Sequence, residues 1–172
     1  MSQLVALSVS IGLLGGIATI LYLNLGLLIW AGFIAWACFF HSGGDGNALR
    51  NTIVGNAFGA FCAWVAALII LHFPLADSLT LPVWAGIVVG LTVMAMCLAA
   101  HIKAFSVIPA SVYGYAATFA YLLLTAQAMV IAEMTAVDFK RNAFLFVVIS
   151  MALGALFGMA SAKLGAALAK KA

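Results

Sequence analysis

The side chains able to make directed polar contacts gather in one stretch of this chain, Phe105–Phe119, which reads FSVIPASVYGYAATF. Ser106, Ser111, Tyr113, Tyr115 and Thr118 bring hydroxyls there, each a hydrogen-bond donor and acceptor without charge. Ser111, Tyr115 and Thr118 stand at i, i+4 and i+7, one face of a helix, whereas Tyr113 points elsewhere. Pro109 removes a helical hydrogen bond and disfavours helical geometry at Ile108, so the spacing predicts a non-helical or re-entrant leg over 104–109 with the helix proper starting near Pro109. Non-helical backbone at membrane depth persists only when buried in protein or lining a watery cavity. A helix N-terminus facing such a cavity offers free N–H donors to a carbonyl or an anion. Phe105, beside the break, is placed to help form a constriction, and Asn56 calls for a partner across a helix interface or at a pore. The competing reading is structural: a proline that caps a helix, and hydroxyls that bond back to their own turn.

Other chemistry is poorly supplied. The chain has no H-E-x-x-H, no G-x-S-x-G and no phosphate loop. Asp45, Asp77, Glu133 and Asp138 fall in loops or at span ends, so no carboxylate pair sits inside the membrane, and no enzyme is expected. Proton-driven pumps keep an ionisable relay within their spans; its lack here favours a passive channel over a coupled transporter, although sodium coupling through backbone carbonyls stays open. His41, His72 and His101 sit at span ends without ligand spacing. Cys38, Cys62 and Cys97 lie in nonpolar runs and read as buried thiols, so neither a metal nor a cofactor is expected.

The elements that must position these residues are membrane helices. Of 172 residues, 67% are hydrophobic and only 6% charged, against about 25% charged in a soluble domain. The reading is one integral membrane domain over 1–172, all-α, a polytopic bundle of six spans at 4–22, 26–40, 52–73, 82–100, 107–131 and 143–162, the fifth broken at Pro109. The first segment reads as a span and not a cleaved signal. Arg50, Lys103, Lys163, Lys170 and Lys171 share the side of the termini and only Lys140 and Arg141 lie opposite, which puts both termini in the cytoplasm. The net charge of +3 is spread over loops and tail and suggests no nucleic-acid partner. Four G-x-x-x-G pairs, Gly12/Gly16, Gly55/Gly59, Gly86/Gly90 and Gly154/Gly158, predict close helix packing within a bundle or between subunits.

Several patches carry a resemblance. LGLLIWAGFIAWACFF (25–40), GGDGNALRNTIVGN (43–56) with AFCAWVAALI (60–69), and FSVIPASVYGYAATFA (105–120) resemble the YcdZ/YahC-like family of small bacterial inner-membrane proteins, a domain of unknown function. The likeness covers most of 5–160 and rests on Ser106-x-x-Pro109-x-x-x-x-Gly114 followed by Thr118-Phe119-Ala120, with Ala110 where glycine is usual. LPVWAGIVVGLTVMAMCLAAH followed by the proline-bearing break is also similar to one half of a bacterial urea transporter. That likeness implies a slot between aromatic rings and trimeric assembly; the paired proline-phenylalanine signature is not intact and only one half-repeat is present. The combined expectation is a lipid-embedded, homo-oligomeric channel or permease for a small polar solute, amide-like or ammonia-like first and a small anion second. Its pathway runs along Asn56, Phe105, Ser106, Pro109, Ser111, Tyr115 and Thr118. The rivals are a sodium-coupled transporter of a small metabolite and a non-conducting structural or regulatory subunit.

Overall fold

A computed structural model describes residues 1–73 and 75–169; the expected stop at Pro74 and the basic residues Lys170 and Lys171 lie outside the described residues. Among the described residues all regular structure is helical. In chain order the helices are α1 (Gln3–Leu25), α2 (Ile29–His41), α3 (Gly46–His72), α4 (Ala76–Leu79), α5 (Leu81–Leu98), α6 (Ile108–Leu124), α7 (Ile131–Met134) and α8 (Ala143–Leu168). Four of them, α1, α3, α5 with its 3-10 extension, and α8, are long and apolar enough to cross a membrane. α2 and α6 are apolar but shorter. With 13 and 17 residues they rise about 20 and 26 Å, less than a hydrocarbon core of about 30 Å.

Local chemistry explains the boundaries. The Ser2 hydroxyl accepts from the Val5 N–H at 3.4 Å to open α1. Gly26, at φ 66°, closes it in the left-handed conformation that glycine adopts without strain. The turn expected at 22–26 therefore falls at 26–28, because the Leu27 N–H caps the Tyr22 carbonyl at 2.9 Å and keeps the helix wound through Leu25. α3 starts at Gly46, earlier than the expected 52: the Asp45 carboxylate accepts from the Ala48 N–H at 2.7 Å and caps a turn that composition reads as loop.

Before α6 the chain runs through two 3-10 turns, Ala99–His101 and Lys103–Phe105. Val107, at φ −88° and ψ 79°, then leaves helical geometry. The non-helical leg expected over 104–109 is corrected to Ser106 and Val107 alone: Lys103–Phe105 is a 3-10 turn, and Ile108 and Pro109 belong to the first turn of α6, where the missing proline N–H has no helical partner to lose. The far end of the expected fifth span is corrected: α6 stops at Leu124 and not at 131. Thr125 turns extended (φ −100°, ψ 123°) and Gln127 holds φ 62° in the turn that follows.

The chain divides into two compact units. The first joins Met1–Ile53 to the chain from Ile149 onward. Its core is Ala18, Tyr22 and Trp36, with Phe40 and Phe157 packed around them. The Trp36 ring stacks on Phe157 at 5.8 Å between centroids. The second unit is Val54–Val148. Its core joins Ala63, Ala66 and Ile70 of α3, Val88 and Met96 of α5, and Tyr115 of α6.

Candidate functional site

The hydroxyl-rich face of α6 packs on α3 inside the second unit. Glycine makes that possible: a Cβ on Gly59 would collide with the Ser111 carbonyl and lie 2.9 Å from the Tyr115 nitrogen, and one on Gly114 would collide with the Asn56 carbonyl. Gly55 likewise faces Ala110 and the Ser111 backbone. The two backbones therefore touch along a seam whose members are Gly55, Asn56 and Gly59 from α3 and Ser111, Gly114 and Tyr115 from α6.

Within this seam the polar groups divide into those already used and those left free. The Thr92 hydroxyl donates to the Val88 carbonyl at 2.8 Å, so the 2.9 Å contact between Thr92 and Tyr115 is donated by the tyrosine. Thr118 gives its hydrogen to the Gly114 carbonyl at 3.0 Å, the back-bonding habit of helical threonine. By contrast, neither the amide nitrogen nor the amide oxygen of Asn56 has a hydrogen-bond partner among the described residues, nor has the Ser111 hydroxyl. Both residues are only 2% exposed. An unpaired polar group so buried costs about 1–3 kcal/mol, so the pair carries a standing penalty that packing alone does not explain. Elsewhere, the buried Thr52 hydroxyl in the first unit also lacks a hydrogen-bond partner among the described residues. In the second, the indole N–H of half-buried Trp84 has no partner among the described residues.

The other pathway residues fall outside the seam. Phe105 stacks on Phe58 with 4.0 Å between centroids. Ser106 and Pro109 are exposed, and the Ser106 hydroxyl donates to the Lys103 carbonyl at 3.0 Å. On α3, two turns past Asn56, Trp64 donates its indole N–H to the Met134 carbonyl at 2.9 Å. The structure thus brings Asn56, Ser111 and Tyr115 together in the seam, places Thr118 one turn past Gly114 on α6, and leaves Phe105, Ser106 and Pro109 apart.

Two cavities adjoin α6. A groove of about 490 Å³ is lined by Ile70, Leu81, Val89, Phe119 and Met129, with Tyr115 in its wall. A wall of that composition offers a polar solute almost nothing to bond, so the hydrogen-bonding groups belong to the seam. The second cavity, about 200 Å³, lies past the C-terminal end of α6 and is lined by Tyr121, Thr125, Gln127, Glu133, Lys140 and Arg141. Arg141 donates two hydrogen bonds to the Glu133 carboxylate at 2.7 and 2.6 Å. These bonds, with the guanidinium charge, hold the Glu133 carboxyl below its usual range and push Arg141 up. Sequence reasoning missed this cavity, because it placed 125–131 inside a span.

The four glycine pairs also separate. Gly55, Gly59, Gly154 and Gly158 each meet another helix, whereas a Cβ on Gly12, Gly16, Gly86 or Gly90 would meet nothing within 4 Å among the described residues. No group of three His, Cys, Asp or Glu able to hold a metal occurs among the described residues.

Apolar helices joined by a backbone-tight polar seam define a protein of the membrane-helix class. The chain belongs to the family described as protein of unknown function (DUF1097), whose pattern it matches over residues 8–166. No curated protein and no solved structure matches it.

Proposed function

We propose that this protein is a membrane channel or permease for a small neutral polar solute, amide-like or ammonia-like, and that the α3–α6 seam is where the solute is recognised. The observation that carries the reading is that two buried side chains of one seam, the Asn56 carboxamide and the Ser111 hydroxyl, each lack a hydrogen-bond partner among the described residues. Between them they offer N–H and O–H donors and carbonyl and hydroxyl acceptors. Neither brings a charge, so the set suits a neutral solute better than an anion. The polar cavity past α6 begins at Tyr121, ten residues from Ser111 or about 15 Å along the helix, and supplies a wet mouth on that side. The protein resides in the bacterial inner membrane with both termini cytoplasmic, as the basic residues Arg50, Lys103 and Lys163 against Lys140 and Arg141 favour.

The protein works as a homo-oligomer. Gly12 and Gly16 on α1, and Gly86 and Gly90 on α5, form open small-residue faces that a second copy of the chain fits, as membrane helices associate through such faces. α1 and α5 are also the least buried of the long helices.

The test is a stopped-flow measurement on proteoliposomes challenged with urea, ammonia, formate and water, first without any ion gradient and then with an inward sodium gradient. Urea or ammonia permeability above that of empty vesicles supports the reading. Uptake only with a sodium gradient, or permeability equal to empty vesicles for all four solutes, overturns it.

A further inference from the structure

We infer that the chain carries one three-helix motif twice, as α1-α2-α3 and α5-α6-α8, and that comparing the copies assigns Asn56 and Ser111 as solute-binding residues for the amide group of a urea-class molecule. The solute half of this inference rests on the function proposed above; the duplication and the role of the two residues rest on geometry.

The second helices align first. Ile29-Trp30-Ala31-Gly32 matches Ile108-Pro109-Ala110-Ser111, and Trp36 and Phe40 match Tyr115 and Phe119 at the same offset. The third helices align independently, Ala57-Phe58-Gly59-Ala60-Phe61 with Ala152-Leu153-Gly154-Ala155-Leu156. Both alignments meet at one contact. In the second unit, a Cβ on Gly59 of α3 would strike the Ser111 carbonyl of α6; in the first, a Cβ on Gly154 of α8 would strike the Gly32 carbonyl of α2. Each third helix thus packs on the short second helix of the other copy, through the same glycine and on the same carbonyl. The first helices correspond as well, since α1 and α5 each carry a glycine pair that touches nothing.

Equivalent positions then show what the packing needs. Asn56, three residues before Gly59, corresponds to Met151, three before Gly154, and Ser111 corresponds to Gly32. Met151 is 1% exposed and Gly32 is buried, so the first unit makes the same seam without either polar group. Its hydroxyl is delivered by Tyr22, whose ring occupies the space a side chain at Gly32 would take, and which donates to the Ser150 carbonyl at 2.6 Å. The Ser150 hydroxyl in turn accepts from the Leu28 N–H at 3.2 Å. Trp36 donates to the Ser161 hydroxyl at 3.0 Å, and Ser161 to the Gly158 carbonyl at 2.7 Å. These bonds make the first seam closed and internally satisfied. The second repeats its backbone geometry but replaces methionine and glycine by an asparagine and a serine whose side chains have no hydrogen-bond partner among the described residues. A seam that packs without them holds them for a ligand.

The ligand class follows from the donor set. A carboxamide pairs with another amide reciprocally, N–H to carbonyl in both directions, and the Ser111 hydroxyl adds a third bond. Urea and simple primary amides use all three; ammonia has no carbonyl for the Asn56 N–H.

The experiment gives Asn56 and Ser111 the residues of the closed copy, Asn56→Met and Ser111→Gly, with Ser111→Ala as a milder second variant and Met151→Leu as the control. Acetamide permeability of proteoliposomes and the acetamide-induced thermal shift of the detergent-solubilised full chain are read side by side. Expected are unfolding temperatures at or above wild type, loss of the acetamide-induced shift, and an acetamide permeability lower by about tenfold or more, the size of one or two lost hydrogen bonds, while Met151→Leu changes neither readout. If wild type conducts acetamide and Asn56→Met and Ser111→Ala conduct it equally well, the binding role is overturned while the conduit stands. If wild type conducts nothing yet acetamide stabilises it and not Asn56→Met, the conduit is overturned while the binding role stands. Absence of both conduction and thermal shift in wild type overturns both.

Discussion

Gly59→Ala adds one methyl group at the place where α3 and α6 touch. Its Cβ would lie 2.6 Å from the Ser111 carbonyl carbon and 2.9 Å from the Tyr115 nitrogen, with the carbonyl oxygen nearer still. Carbon atoms sit comfortably at about 3.5–4.0 Å, so the seam must open by about 1 Å, and the obstacle is helix backbone, not a side chain that can rotate away. Overpacking of this kind costs about 1–3 kcal/mol, against which alanine's better helix propensity returns about 1 kcal/mol. The matched substitution Gly90→Ala has nothing within 4 Å and keeps only that gain. The two variants should therefore separate, Gly59→Ala less stable than wild type by up to about 2 kcal/mol and Gly90→Ala more stable by up to about 1 kcal/mol. Tryptophan fluorescence during SDS-induced unfolding in mixed micelles reads both. A Gly59→Ala protein as stable as Gly90→Ala would refute the backbone-contact reasoning for the seam.

Other perturbations separate the remaining claims. Gly154→Ala, which meets the Gly32 carbonyl in the first unit, should destabilise like Gly59→Ala; a neutral result would remove the equivalence of the two seams. Gly12→Leu and Gly90→Leu should leave the monomer folded but lower the oligomer fraction seen by cross-linking in detergent, and an unchanged fraction would show that those faces meet only lipid. Pro109→Leu should reduce solute flux more than stability, because Pro109 is exposed at the helix start and fixes the break; a variant that unfolds but conducts normally per folded molecule would contradict this. The Glu133–Arg141 pair is present above the usual glutamate range and lost as pH falls through the lowered folded value, since the Arg141 hydrogen bonds depress the Glu133 carboxyl. Limited proteolysis of the 125–142 segment should therefore increase only in acid, and Glu133→Gln should abolish that dependence. Proteolysis rising already near neutrality would argue against it.

Much of this architecture was legible in the sequence for identifiable reasons. The start of α6 near Pro109 was legible because proline suits the first turn of a helix, but the constraint expected at Ile108 is not seen there: Ile108 is already helical and the chain leaves helical geometry one residue earlier, at Val107. The helix face Ser111–Tyr115–Thr118 follows from 3.6-residue periodicity, and all three are buried. The start of α3 was hidden because Gly43, Gly44 and Gly46 look like loop, while the cap that winds the helix is one carboxylate, Asp45. The glycine pairs were visible, but spacing within one helix says nothing about which helix lies opposite; only coordinates separate Gly59 from Gly90. The duplication was obscured for a similar reason. Its copies share glycine, alanine and large apolar residues, the commonest letters of any membrane helix, and become recognisable when Gly59 and Gly154 are seen pressing on equivalent carbonyls.

The most direct measurement is urea permeability of vesicles containing equal amounts of folded wild-type or Asn56→Met protein, set against empty vesicles. Rapid equilibration with wild type and a return toward the empty-vesicle rate with Asn56→Met is the predicted result. Identical rates in all three preparations would contradict the claim that the buried, unpaired amide of this chain exists to pass a small polar molecule through the membrane.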